Sequence, residues 1–86
     1  MRLDKYLKVS RLIKRRTVAN EACDAGRVLV NSKPARASYE IKVDDLIDIS
    51  LGSRSIRAKV VSINETVGKG QASDLYQILS EGPAEH

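Results

Sequence analysis

Residues 1–16 read MRLDKYLKVSRLIKRR, a stretch in which seven residues are basic and Asp4 is the single acid. Apolar residues are interspersed among the charges, and Leu3 and Leu7 are four positions apart. That spacing places both leucines on one face of a helix. A basic segment with such apolar positions is expected to fold against a core, whereas a run of cations alone would be disordered.

Two helices are predicted in this first part of the chain. The first covers residues 3–9, a turn follows at residues 10–13, and the second helix covers residues 15–25. Gly26, which is free to adopt a positive φ, is the predicted C-terminal cap of the second helix. Small apolar residues recur on one side of that helix and are predicted to face the core: Val18, Ala19, Ala22 and Cys23.

Beyond Gly26 the apolar pattern alternates, which indicates strands. Asn31-Ser32 predicts a tight hairpin between strands at residues 27–30 and 33–35, and Pro34 places the returning strand at a sheet edge. Further extended segments are predicted at residues 39–43, 46–51, 54–64 and 75–79. The turns between them are predicted at residues 44–45 and 52–53, a bulge at residues 60–61, a flexible loop at residues 65–74 and a frayed tail at residues 80–86.

Together these elements predict an α+β fold, with two packed N-terminal helices against a small, mainly antiparallel sheet of about five strands. The length of 86 residues is enough for one domain with one core. The chain is expected to act as a monomer.

The charge is unevenly distributed along the chain. Residues 1–36 hold ten Lys or Arg against three Asp or Glu, a net charge of +7, whereas residues 37–86 hold five against eight, a net charge of −3. Such a concentrated excess is typical of a surface that binds a polyanion. Three tyrosines are the only aromatic residues, which argues against a groove of several stacking rings.

Other classes of site are disfavoured by the residue types present. Cys23 is the only cysteine, so an internal disulfide is excluded, and it is predicted to be a buried apolar residue. Asp44, Asp45 and Asp48 do not follow the pattern of a calcium loop and are interpreted as surface residues. Residues 68–70 (GKG) lack the remaining spacing of a phosphate-binding loop.

No enzymatic activity is expected. His86 is the only histidine and lies at the terminus, and no nucleophile–base pair is evident. No cofactor or metal is expected. No apolar run approaches membrane-spanning length and no secretory signal is evident, so the predicted location is the cytoplasm.

Three cations, Lys14, Arg15 and Arg16, crowd the predicted start of the second helix. Cations there oppose the positive end of the helix dipole, whereas the free N–H groups of the first turn favour an anion. A bound phosphate would relieve this conflict. Arg16 is the strongest candidate, because a guanidinium can bind phosphate through two hydrogen bonds. The remaining candidates of this stretch are Arg2, Lys5, Arg11 and Arg15, followed by Lys8 and Lys14 as point charges.

Two roles for Asp4 stay open. It could stabilise the first turn of its helix and form a salt bridge with Arg2 or Lys8. Alternatively, it could orient an arginine or accept a hydrogen bond from a ribose hydroxyl.

A family resemblance extends these interpretations. The motifs Arg2-Leu3-Asp4, Arg16-x-x-Ala19, Gly26-x-Val28-x-Val30-Asn31 and Asp45-x-Ile47 resemble the RNA-binding domain named after ribosomal small-subunit protein four. The resemblance covers residues 2–51, with residues 52–79 as additional strands. It implies the alpha-L motif, in which the helical face and a nearby loop hold RNA. The residues that would contact RNA are Arg2, Asp4, Lys5, Lys8, Arg11, Lys14, Arg15, Arg16, Thr17, Asn20, Lys33 and Arg36.

The chain departs from the family pattern at four positions. Arg15 stands where the pattern has the serine that caps the second helix, Ser32 and Asp44 stand in place of glycines, and Ala37 stands in place of a proline. These departures bear on the turns more than on RNA contact.

Within the family, the chain is similar to the heat-shock protein fifteen group and closer to the bacterial ribosome-associated quality-control proteins with this domain. That likeness implies binding to large-subunit rRNA and to peptidyl-tRNA on free large ribosomal subunits after stalling, with another quality-control factor as a further partner. Two alternatives stay open: a domain that directs an RNA-modifying enzyme to its RNA, and a general nucleic-acid binder.

Overall fold

The computed structural model describes residues 1–63 and 75–83. In this part of the chain, two helices precede five strands: α1 (Leu3–Val9), α2 (Arg16–Asp24), β1 (Val28–Val30), β2 (Lys33–Pro34), β3 (Leu46–Leu51), β4 (Arg54–Val60) and β5 (Tyr76–Pro83). The strands form an antiparallel sheet in the order β2-β1-β3-β4-β5. The predicted α+β fold is confirmed.

The C-terminal end of α2 is closed by a glycine, as predicted. Gly26 has a φ of 74°. The N–H groups of Gly26 and Arg27 donate to the carbonyls of Cys23 and Ala22, at 3.0 and 2.9 Å. This is the Schellman arrangement, which satisfies carbonyls that the helix leaves without partners. It also directs the chain from α2 into β1.

The corner between the helices lies at residues 10–13, as predicted, but it has no glycine. Arg11 adopts a φ of 64° instead, and its N–H donates to the carbonyl of Lys8 at 3.1 Å. A left-handed backbone is uncommon for a residue that carries a Cβ atom. The Arg11 side chain is exposed at this corner.

The β1–β2 hairpin has the tight turn that the sequence predicts. Val30 pairs with Lys33, so Asn31 and Ser32 form a two-residue turn, with φ values of 52° and 71°. Positive φ at both positions is the requirement of a type I′ turn. Pro34 lies in β2 at the edge of the sheet, as predicted.

The remaining strands correct several boundaries. The bulge predicted at residues 60–61 was wrong: the register shift lies between Arg57 and Ala58, opposite β5. Val60 keeps regular pairing because it faces Tyr76 and its N–H donates to the carbonyl of Asp45 at 2.9 Å. The strand predicted at residues 54–64 therefore ends at Val60.

Two further extended regions differ from the prediction. Residues 39–43 form no strand beyond a single bridge between Glu40 and Arg2. The last strand continues to Pro83, because Ser80 and Glu81 pair with β4, so residues 80–83 are not frayed. The loop predicted at residues 65–74 lies outside the described residues, as do residues 84–86 of the predicted tail.

The core lies between the helices and one face of the sheet. Its residues are apolar and nearly inaccessible to solvent; from α1 and α2 they include Leu3, Tyr6, Leu7, Ala19, Ala22 and Cys23, and from the sheet Val28, Val30, Ile47, Ile49 and Val60. Val18 was predicted to face this core but is 41% exposed. Burial, with the negative charges of Asp4 and Asp24, raises the pKa of the Cys23 thiol to about 11. Cys23 is thus buried, as predicted, and the raised pKa favours the thiol over the reactive thiolate at neutral pH.

The side chain of Asn31 joins the β1–β2 turn to the turn that precedes β3. It donates to Asp45 Oδ1 at 3.1 Å and accepts from the N–H of Leu46 at 3.0 Å. Asp45 Oδ2 in turn accepts from the N–H of Lys42 at 2.9 Å. Asn31 and Asp45, both part of the family motif, therefore have a structural role.

Asp48 in β3 and Asp44 in the turn before it have protein partners. Asp48 accepts from Arg57 Nε at 2.6 Å, and Asp44 lies 3.4 Å from Lys59 Nζ. In the described ranges, no group of three or more metal-ligating side chains occurs. None of the helices described is long and apolar enough to cross a membrane.

Candidate nucleic-acid interface

The carboxylate of Asp4 is buried beneath the basic surface. Only 2% of the residue is exposed. Asp4 lies three positions before Leu7, which directs it toward the interior side of α1. The backbone N–H of Lys5 donates to Asp4 Oδ1 at 2.8 Å, and Asn20 Nδ2 donates to Asp4 Oδ2 at 3.4 Å. A buried acid without partners would be costly, so this position requires donors.

Two arginines supply the remaining donors. Arg2 Nε and Arg16 Nε lie 3.2 and 3.3 Å from the Asp4 oxygens, and the Nη2 atom of each lies 3.5 Å from the other oxygen. Both guanidiniums therefore contact Asp4 in the two-pronged manner that planar recognition of a carboxylate allows. One buried acid thus holds the arginines of two separate segments.

The protonation of Asp4 follows from these contacts. Burial acts to raise the pKa, but hydrogen bonds from Arg16, Asn20 and the backbone N–H of Lys5, together with the charge of Arg16, outweigh it. The pKa of Asp4 lies below its ordinary value. The carboxylate is consequently charged at neutral pH and retains both arginines.

Both guanidiniums remain accessible to a ligand. The side chains of Arg2 and Arg16 are 50% and 48% exposed. Asp4 engages the Nε and Nη2 groups and leaves the Nη1 group of each guanidinium to other partners. A phosphate could accept hydrogen bonds from these exposed N–H groups without displacing Asp4.

A shallow depression adjoins this group. It has a volume of about 340 Å³ and is lined by Asp4, Arg16, Thr17, Asn20 and Glu21. Thr17 is exposed and Asn20 is half-buried. The structure therefore brings four of the predicted contact residues, Asp4, Arg16, Thr17 and Asn20, to one place.

The start of α2 lacks a side-chain cap and an acidic residue, as the sequence predicted. Arg15 is the N-cap and makes no side-chain capping hydrogen bond, and the first turn contains no acid. Lys14, Arg15 and Arg16 are exposed. Because Arg16 is paired with Asp4, the conflict with the helix dipole now rests mainly on Lys14 and Arg15.

The other predicted contact residues are more dispersed. Lys8 and Arg11 are exposed on α1 and at its corner, and Lys5 is half-buried. Lys33 in β2 and Arg36 after it are exposed at the sheet edge. Whether these residues contact RNA stays a prediction.

The central role of Asp4 was only one of the alternatives that the sequence left open. Its bond with Arg2 is among those expected, but its bonds with Arg16 and Asn20 join α1 to α2 across twelve and sixteen positions. The available signal was an acid on the same side of α1 as Leu7.

The comparisons with known proteins concern the family and the fold of the chain. The family model of the S4 domain matches residues 1–47, which is more than half of the chain. The chain belongs to the S4 domain family. This confirms the resemblance drawn from the motifs in residues 2–51.

Relatives resemble the chain over most of its length. The RQC P-site tRNA stabilizing factor of Streptococcus pneumoniae is 48% identical over 81 residues, covering 94% of this chain and 92% of that protein. The heat shock protein 15 homolog of Haemophilus influenzae is 28% identical over 78 residues, covering 90% of this chain and 60% of that protein. The trimeric structure of heat shock protein 15 from Vibrio cholerae matches with a TM-score of 0.84 and 26% identity, covering 93% and 82% of the two chains.

Proposed function

We propose that this chain is a non-catalytic RNA-binding protein that acts on the ribosome in the cytoplasm. It binds large-subunit rRNA and tRNA on free large subunits that carry peptidyl-tRNA after stalling. The observation that carries this proposal is the pair of half-exposed guanidiniums, Arg2 and Arg16, held by the buried carboxylate of Asp4. The pairing fixes the two cations before any ligand arrives, which lowers the entropy lost on binding.

The charge around this pair suits a phosphate backbone. Asp4 balances one of the two guanidiniums, and exposed Lys14 and Arg15 add further positive charge at the start of α2. The N–H groups of that first turn also favour an anion. Contacts of this kind position RNA through its phosphates, and RNA shape then provides most of the selectivity.

The relatives support the ribosomal setting. The Streptococcus pneumoniae relative is named for stabilising P-site tRNA, and it matches the chain over nearly the whole length of both proteins. The S4 domain model also matches residues 1–47, the part of the chain that holds Asp4 and both arginines. A second quality-control factor on the same subunit is part of the proposal.

Sedimentation of a cell lysate through a gradient tests the proposal. The wild-type chain is expected to migrate with free large subunits that contain tRNA, and the double variant Arg2→Ala, Arg16→Ala is expected to stay at the top of the gradient. Arg54→Ala is the matched control, because Arg54 is an exposed arginine that pairs with Glu81 in the sheet. It should migrate as the wild type does.

Three results would contradict the proposal. Wild-type protein that never enters the large-subunit fractions would exclude the ribosomal role. Equal loss of binding by Arg54→Ala would show that binding depends on the net positive charge of the protein and not on the positions of Arg2 and Arg16. Co-migration with an RNA-modifying enzyme away from ribosomes would favour a targeting role for the domain.

A further inference from the structure

A second depression lies at the edge of the sheet, outside the Asp4 group. It has a volume of about 420 Å³ and is lined by Val30, Asn31, Lys33, Pro34, Ala35 and Tyr39. We propose that this depression binds an unpaired nucleobase of the RNA, stacked on the ring of Tyr39. The inference rests on the proposed RNA binding and adds a preference for unpaired nucleotides to it.

Tyr39 differs from the other two tyrosines in its exposure. Tyr6 is fully buried and its hydroxyl donates to the carbonyl of Leu75 at 2.5 Å, and Tyr76 packs against the core. Tyr39 is 39% exposed and lines the depression. An accessible aromatic ring is the usual platform for a splayed base in single-stranded RNA. The sequence argued against a groove of several rings, and a single platform is consistent with that.

The remaining walls favour a nucleotide over a peptide. β2 has only two residues, and Pro34 has no N–H to donate to an added strand, so the edge is poorly suited to pairing with another chain. Lys33 is the charged residue among those that line the depression. Its ammonium, with exposed Arg36 nearby in the chain, complements the phosphate of a bound nucleotide.

The backbone ties this depression to the arginine pair. The carbonyl of Tyr39 accepts from the N–H of Leu3 at 2.7 Å, and the carbonyl of Ala37 accepts from the N–H of Asp4 at 3.1 Å. Glu40 forms a β-bridge with Arg2. The segment that carries Tyr39 is therefore attached directly to the start of α1. One RNA strand can follow this surface, with phosphate at the arginines and a base on Tyr39.

Two RNA probes separate base binding from phosphate binding. One is a hairpin with an unpaired loop, and the other is a duplex with the same stem sequence. Tyr39→Leu keeps an apolar side chain without a ring and is expected to weaken binding of the hairpin by about 5- to 150-fold, since stacking on an aromatic ring contributes that much per base. Tyr39→Phe should retain hairpin binding, and duplex binding should be the same for all three proteins. Arg16→Ala should weaken binding of both probes.

A fluorescence measurement reports the contact itself. The chain has no tryptophan, so Tyr39→Trp introduces a single one. Its emission is expected to be quenched by the hairpin and not by the duplex. Thermal unfolding of each variant near the wild-type midpoint confirms that the fold is retained.

The outcomes distinguish this inference from the proposed function. If Tyr39→Leu binds the hairpin as tightly as the wild type, or if the duplex quenches the tryptophan equally, the base site is wrong while RNA binding stands. If the wild type binds none of the two probes, the ribosomal subunits and tRNA, then the base site and the proposed function are both wrong.

Discussion

Arg16 Nε donates to Asp4 Oδ2 at 3.3 Å, although the two residues belong to different helices. Two unfavourable features offset each other in this pair. A carboxylate that is almost fully buried gains a charged donor, and a cation at the start of α2 gains a counter-charge. The contact also joins α1 to α2 beside the exposed face where RNA is proposed to bind.

Asp4→Asn should destabilise the protein. The amide keeps the volume but loses the charge that attracts Arg2 and Arg16, and its NH₂ group cannot accept from a guanidinium. We expect the free energy of unfolding to fall by about 1.5–3 kcal/mol at neutral pH, the range for hydrogen bonds to charged groups. Urea unfolding measures it. Asp48→Asn, which removes a more exposed partner of Arg57, should cost less than about 1 kcal/mol. Equal costs for the two variants would contradict a special role for Asp4.

The contribution of Asp4 should depend on pH in one direction. Its pKa in the folded protein lies below the ordinary value of 3.8, so folding favours the charged form. This stabilisation is present above that ordinary value and is lost as the pH falls through the lower folded-state pKa. The difference in unfolding free energy between wild type and Asp4→Asn should thus be constant near neutral pH and shrink below about pH 4. A difference that grows in acid would show the opposite shift of pKa.

RNA binding should depend strongly on salt. With about five or six phosphates engaged, raising the salt from about 50 to about 200 mM should weaken the affinity about a thousandfold. Arg16→Ala should reduce the slope of log K against log salt by about one, because one phosphate contact is lost. Filter binding at a series of salt concentrations provides both slopes. A wild-type slope near zero would be inconsistent with phosphate contacts.

Ser32→Gly should stabilise the β1–β2 hairpin. Ser32 has a φ of 71°, a conformation that costs a residue with a Cβ atom about 1–2 kcal/mol and that glycine adopts freely. Part of this gain is offset by the extra freedom of glycine in the unfolded chain, so we expect a net gain of about 0.5–1 kcal/mol.

Ser53→Gly in the β3–β4 turn is the matched control. In that turn the positive φ, of 59°, belongs to Gly52 and not to Ser53. Thermal unfolding measures the stability of both variants. Ser53→Gly should leave the protein equally stable or less stable. Stabilisation of similar size by both substitutions would mean that backbone strain at Ser32 is not the cause.

Tyr6→Phe should separate stability from RNA binding. The Tyr6 hydroxyl donates to the carbonyl of Leu75, which also accepts from the N–H groups of Val61 and Ser62. We expect a loss of about 1 kcal/mol in unfolding free energy, because the ring stays packed and the carbonyl keeps two donors. Affinity for RNA should not change, since Tyr6 is fully buried. A variant that loses RNA affinity while remaining folded would place Tyr6 in the interface.

The helices were predicted almost to the residue because their signals are local. Apolar spacing defined α1, and Gly26 marked the end of α2. Pairing between strands depends on two segments at once, and the predictions of strand ends and bulges were less accurate than those of the helices. The bulge was predicted at residues 60–61 but lies between Arg57 and Ala58, and β5 was predicted to end too early. Both features depend on how β4 pairs with β5, which the sequence of either strand alone does not indicate.

The candidate site divides in the same way. Charge patterning and the helix-start conflict predicted Arg16 as the leading contact residue, and this stays a prediction. The family motifs identified the S4 domain. The sequence could not choose between the roles of Asp4, because burial and bonds to Arg16 and Asn20 arise only when α1 packs on α2. Nor did it indicate the depression at Tyr39, whose walls come from β1, β2 and the segment after them.

The sequence by itself determined the order of two helices and an antiparallel sheet, the basic character of the N-terminal part and the family. These follow from periodicity, composition and short motifs, which depend on neighbours along the chain. Only the tertiary structure decided that one buried carboxylate holds two arginines in place. The reason is that burial, and with it the need of a charge for partners, is set by residues that are distant in sequence and adjacent in space.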